Sequence, residues 1–87
     1  MPSIARFRGL TIYMYTEYDV HRLPHFHVYY GEYQASFALN PPELLEGSLP
    51  RRQLRFILAW AEMYQEELEE NWRLVQSGQR PQQIEGL

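Results

Sequence analysis

The run His25-Phe26-His27-Val28-Tyr29-Tyr30-Gly31-Glu32-Tyr33-Gln34-Ala35-Ser36-Phe37-Ala38-Leu39 decides the fold. Its first six residues alternate, with Phe26, Val28 and Tyr30 on one side and His25, His27 and Tyr29 on the other, the period of two that belongs to a strand. Gly31-Glu32 supplies a two-residue turn of the Gly-X kind, and a second strand runs from Tyr33 to Leu39. Residues flanking such a turn pair across it. Tyr30 therefore meets Tyr33, Val28 meets Ala35 and Phe26 meets Phe37, an unbroken apolar face, while His27 meets Ser36 and Tyr29 meets Gln34 on a polar and aromatic reverse face.

Upstream, Leu10, Ile12 and Met14 alternate with Thr11, Tyr13 and Tyr15, which makes another strand, and Ser3 to Arg8 add a short one that bends at Gly9. Downstream, Asn40-Pro41-Pro42 ends the sheet, because consecutive prolines cannot donate to a ladder, and residues 40–47 read as a linker. Ser48 suits a helix N-cap with Pro50 in the first turn, and the apolar periodicity lasts until Gly78 and Pro81, which gives one helix of about 29 residues over 49–77. At 100° per residue from Leu54, a sector holding Ile57, Leu58, Ala61, Tyr64, Leu68, Trp72 and Val75 faces the sheet, and Phe56, Trp60, Met63 and Leu74 form a second stripe beside it. Such a helix extends roughly 43 Å, against about 23 Å for a seven-residue strand, so its far end overhangs the sheet. The N-terminal segment, Ile84 and Leu87 folding back, or a partner must cover the overhang. With residues 78–87 read as a loose tail, a partner or a second copy comes first, and Phe56, Trp60, Met63 and Trp72 are its candidate interface. The expected architecture is α+β, a single domain over 1–87: a three-stranded antiparallel meander, four-stranded with the N-terminal segment, packed against one long C-terminal helix.

Composition bounds the function. Eighty-seven residues, 45% hydrophobic and 15% aromatic, suit one globular domain with a real core. The absence of Cys excludes disulfides, thiolate metal sites, iron–sulfur clusters and cysteine nucleophiles. No apolar run approaches the roughly 18–20 residues of a membrane span, and Met1 to Arg6 lack the apolar stretch of a secretory signal, so a cytoplasmic protein is expected. The net charge of −3 argues against a diffuse polycation on nucleic acid but leaves room for a local basic patch.

The chemistry-bearing segment is His21-Arg22-Leu23-Pro24-His25-Phe26-His27. His25 and His27 share a strand face and could reach one metal ion with help from His21, Glu17 or Asp19, but the spacing fixes no third ligand, and no metal or cofactor is assigned. Two readings compete with a metal: imidazoles that exchange protons beside Tyr13, Tyr15 and Tyr29, and a plain sheet surface on which tyrosines sit for their strand propensity. Aromatic rings on a sheet stack bases and Arg side chains hold phosphates, and a ribonuclease needs a base, an acid and a cation. On that reading His25, His27 and Tyr29 are the catalytic candidates, with Arg6, Arg8 and Arg22 as cations. Arg51, Arg52 and Arg55 open the helix against its macrodipole, which suggests an anionic partner, with Glu43 and Glu46 as local alternatives. The acidic stretch from Glu62 to Glu70, relieved by Arg73 four residues after Glu69, is a solvated face or a surface for a basic partner, and charge so segregated permits head-to-tail self-association.

With these residues laid out, the chain resembles the small bacterial and archaeal family catalogued as domain of unknown function 4160. The resemblance is carried by Pro2-Ser3-Ile4-Ala5-Arg6-Phe7-Arg8-Gly9, Pro24-His25-Phe26-His27-Val28, Leu45-Glu46-Gly47-Ser48-Leu49-Pro50 and a helix bearing Trp60-Ala61, Glu67-Leu68 and Glu70-Asn71-Trp72. Leu23 stands where the family pattern has the first of two prolines. The family implies no established activity. Its members resemble stand-alone proteins encoded beside a second short family of unknown function, catalogued as 2442, which implies a small protein partner and a toxin–antitoxin-like or regulatory pair. A component that binds or cleaves RNA is the leading expectation, and a non-catalytic protein-binding module the alternative.

Overall fold

A computed structural model of the chain describes residues 3–15 and 23–87. Strands β1 (Ala5–Phe7), β2 (Leu10–Tyr13), β3 (His25–Tyr30), β4 (Tyr33–Leu39) and β5 (Pro42–Gly47) form one antiparallel sheet in chain order, followed by helices α1 (Arg51–Met63) and α2 (Gln65–Gln76). The α+β class stands, and so does the register of the central hairpin, where Phe26 lies opposite Phe37, Val28 opposite Ala35 and Tyr30 opposite Tyr33. The N-terminal segment supplies the additional strand. Ala5 pairs with Ile12, and the β1–β2 turn at Arg8–Gly9 takes φ values of 49° and 80°, the left-handed pair that matches the twist of a tight hairpin.

The expected linker over 40–47 is instead a fifth strand. Two prolines exclude a central strand but not an edge: Pro42 takes the first position of β5, opposite Leu39, and Pro41 sits in the turn, its peptide bond with Asn40 cis. Ser36 pairs with Glu46 and Phe37 with Leu44, so Leu45 is an extra residue in a bulge that hides the alternation of this strand. The Ser48 N–H donates to the Gln34 carbonyl at 3.2 Å, so Ser48 extends the sheet and caps nothing; Pro50 holds the N-cap position.

The single long helix is also corrected. At Tyr64, φ −111° and ψ 30° depart from helical values, although the Tyr64 N–H still reaches the Trp60 carbonyl at 3.0 Å and the Leu68 N–H the Tyr64 carbonyl at 2.9 Å. A straight helix over 51–76 would run roughly 39 Å, longer than the 33 Å of the whole molecule, and the bend keeps Leu68 and Val75 in the core beside Ile57 and Trp60. No described helix is long and apolar enough to cross a membrane. On the outer surface of α2, Arg73 pairs with Glu70 and not with Glu69, donating from Nε to Oε2 at 3.0 Å and from its second nitrogen to Oε1. That bond holds the Glu70 carboxyl below the usual carboxylate range, and Glu69 accepts instead from Asn40 Nδ2 at 3.2 Å.

Residues 78–87 are not a loose tail. Ile84 is in the core, its N–H donates to the Ile4 carbonyl at 2.7 Å, and the buried Asn71 side chain both donates to the Gln82 carbonyl and accepts from the Gln82 N–H at 2.8 Å. The indole of Trp60, 0% exposed, donates to the Glu85 carbonyl at 2.7 Å. The chain thus covers its own overhang, and Trp60 leaves the list of interface candidates for the core. Asn71→Ala is expected to remove both hydrogen bonds that anchor Gln82 and to cost about 1–3 kcal/mol, with hydrogen exchange at the Ile84 amide accelerating more than at Val28.

Candidate ligand-binding groove

Alternation places a set of side chains on the sheet face turned away from the helices. One row crosses β2 to β5 as Tyr13, His27, Ser36 and Glu46, and the next crosses β1 to β4 as Arg6, Thr11, Tyr29 and Gln34. Between them lies a groove of about 450 Å³ lined by Tyr15, His27, Tyr29, Gln34, Ser36 and Glu46. The rings pack as one cluster: His27 lies 4.6 Å from Tyr15, Tyr13 stacks on Tyr15 at 6.0 Å, and Tyr29 meets Tyr13 edge-on at 5.5 Å. The Tyr15 and Tyr29 hydroxyls are 3.1 Å apart, in hydrogen-bond contact. The cluster is preordered, so a ligand would find the rings already placed.

The two histidines differ in kind. His25 is 1% exposed, and its Nδ1 lies 2.7 Å from the Leu23 carbonyl; since a carbonyl only accepts, that nitrogen carries the proton. Its ring contacts Trp72 of α2 at 5.3 Å and His27 edge-on at 5.1 Å, so His25 packs beside His27 and supports it. His27 and Tyr29 are half-buried at the groove wall. The expected pair of surface imidazoles is therefore one groove histidine on a buried support. His21 and Arg22, with Glu17 and Asp19, lie outside the described residues. Among the described residues no group of three His, Asp or Glu could hold a metal ion.

The cations expected to act together are divided. Arg6 is exposed on the groove side of the sheet, whereas Arg51, Arg52 and Arg55 are exposed on α1, in the layer behind it. Arg8 sits in the β1–β2 turn with its guanidinium 4.7 Å over the Phe56 ring, which Arg52 approaches at 5.7 Å. Of the interface candidates besides Trp60, Phe56 and Trp72 are half-buried and Met63 is 64% exposed. Among the described residues, the charged group lining the groove is the Glu46 carboxylate. Glu46 carries no sequence signal as a groove residue, because Pro41-Pro42 and the bulge mask its strand, whereas Gln34 and Ser36 follow from the hairpin register with Tyr29 and His27.

A family model, described as domain of unknown function (DUF4160), matches residues 9–73. No curated protein and no solved structure matches the chain.

Proposed function

We propose that the chain, which belongs to the DUF4160 family, is the RNA-binding component of a small two-protein module of toxin–antitoxin-like or regulatory kind. The observation that carries this reading is the ring cluster of Tyr13, Tyr15, His27 and Tyr29 on one sheet face, bordered by the hydrogen-bonding Gln34, Ser36 and Glu46. Bases of a single strand stack on such rings for about 1–3 kcal/mol each, and Gln34 and Ser36 offer both donors and acceptors to base edges. The Glu46 carboxylate repels phosphate and accepts from exocyclic amines, which orients bases into the groove and leaves the phosphate backbone to run past Arg6 on the β1 side. Binding fits better than cleavage. Burial withdraws His25 from acid–base cleavage, and the titratable groups left with His27 in the described lining of the groove, tyrosine hydroxyls and the Glu46 carboxylate, include no cation to hold a phosphate there.

The test is fluorescence anisotropy of a labelled single-stranded RNA with wild type, Tyr29→Ala, His27→Ala and Arg6→Ala. The ring variants are expected to weaken binding by about 5- to 100-fold, and Arg6→Ala to lower the salt slope by about one unit. Equal affinity in wild type and both ring variants removes the proposal, and RNA cleavage abolished by His27→Ala restores the nuclease reading. A different observation favours a protein-binding module: Leu44 and Leu45 on the edge strand β5 are 41% and 39% exposed. On that reading wild type binds no RNA, and substitutions at these leucines release the partner protein.

A further inference from the structure

We infer that two copies of the chain pair through α1, antiparallel, about a two-fold axis beside Ala59. This surface lies behind the sheet, apart from the groove, and the inference does not rest on RNA binding. Around the outer side of α1, Arg52, Arg55, Ala59, Glu62 and Met63 are exposed, and Phe56 is half-buried beneath the Arg8 and Arg52 guanidiniums. Phe56, Ala59 and Met63 fall at i, i+3 and i+7, an apolar seam along a helix face whose other side already holds Ile57 and Trp60 in the core. Met63 is 64% exposed, the highest value among the large exposed hydrophobic residues described. The crossing point is an alanine, small enough for two helices to approach closely.

Charge complementarity selects the occupant. The N-terminal end of the seam is cationic, with Arg52, Arg55 and also Arg8 from the turn, and the C-terminal end is anionic, with Glu62 and with Glu66 in the first turn of α2. Within one copy these groups repel their neighbours, because Arg51 and Arg55, and again Glu62 and Glu66, stand at i, i+4 with like charge. None of Arg51, Arg52, Arg55, Glu62 or Glu66 forms an ion pair with another described residue. The order reads as its own complement when reversed about Ala59. Arg52 lies seven residues before it and Glu66 seven after, while Arg55 and Phe56 lie four and three before it and Glu62 and Met63 three and four after. An antiparallel second copy therefore sets Arg52 against the other copy's Glu66 and brings Arg55 within one residue of the position opposite its Glu62, and Phe56 within one residue of the position opposite its Met63, each contact made twice as two-fold symmetry requires. A parallel copy would set like charge against like.

Sedimentation of the full chain tests this with two charge-reversed proteins, R52E/R55E and E62R/E66R. Wild type at about 100 μM in low salt is expected to sediment as a dimer and to dissociate towards monomer in about 1 M salt, where the screening length falls to about 3 Å. Each reversed protein is expected to be monomeric, and an equimolar mixture of the two is expected to dimerise, because all four cross-helix pairs again have opposite sign. Far-UV circular dichroism verifies that both remain folded, and M63R, at a position facing solvent in one copy, breaks the seam by an independent route. A monomeric wild type, a reversed protein that stays dimeric, or a mixture that fails to recover the dimer each overturns the inference.

Discussion

Trp60→Ala is expected to cost about 3–5 kcal/mol, enough to leave a domain of this size largely unfolded at 37 °C. The indole is 0% exposed and lies 5.6 Å from the Phe7 ring and 5.8 Å, edge-on, from Phe26, so truncation opens a cavity between sheet and helix. It also strands the Glu85 carbonyl, which accepts from the indole N–H. Trp60→Phe separates the two losses. It keeps most of the packing and removes the donor, and about 1–2 kcal/mol is expected, with the larger part of the change in hydrogen exchange confined to the C-terminal segment. Urea midpoints measure both substitutions. A midpoint unchanged by Trp60→Ala would mean that the indole faces a partner and not the core.

Gly47→Ala has the second largest expected effect, about 2–4 kcal/mol, and joins stability to the groove. Gly47 has a φ of +80°, and a Cβ there would stand 2.1 Å from the Gln34 carbonyl oxygen and 2.8 Å from the Ala35 Cα. Both obstacles are backbone of the adjoining strand, so relief requires β5 to part from β4 beside the bulge. That movement carries Glu46 out of the groove wall, and RNA affinity should fall together with the denaturation midpoint. Gly31→Ala is the matched control. Its φ is +54°, but no atom lies within 4 Å of the added methyl group, so about 1 kcal/mol is expected from backbone strain alone, with RNA affinity unchanged.

The central hairpin was legible because strict alternation and the Gly31-Glu32 turn admit one register, and a slip by one residue would expose Phe26 and Phe37. Strand β5 was not, because Pro41-Pro42 excludes a central strand but not an edge, and because the bulge at Leu45 breaks the period of two. The bend at Tyr64 has no Gly or Pro to announce it; its cause is tertiary, the need to return Leu68 and Val75 to a sheet shorter than the helix. Periodicity alone points Trp60 to an interface, because the apolar arc of the helix is wider than one sheet face requires. The covering that accounts for the excess is the returning segment around Ile84, an apolar residue set among polar ones. In the groove, Tyr29, Gln34, His27 and Ser36 followed from the register, whereas the burial of His25 depends on Trp72, which lies far along the chain and reaches it only in three dimensions.

Titration of isotope-labelled protein with a short unstructured RNA, followed at the amide resonances, tests whether the groove side of the sheet receives single-stranded RNA. Saturable shifts concentrated at Tyr13, His27, Tyr29, Gln34, Ser36 and Glu46 are the expected result. Shifts concentrated on α1 around Arg51 to Arg55 would contradict it, as would a spectrum that RNA leaves unchanged.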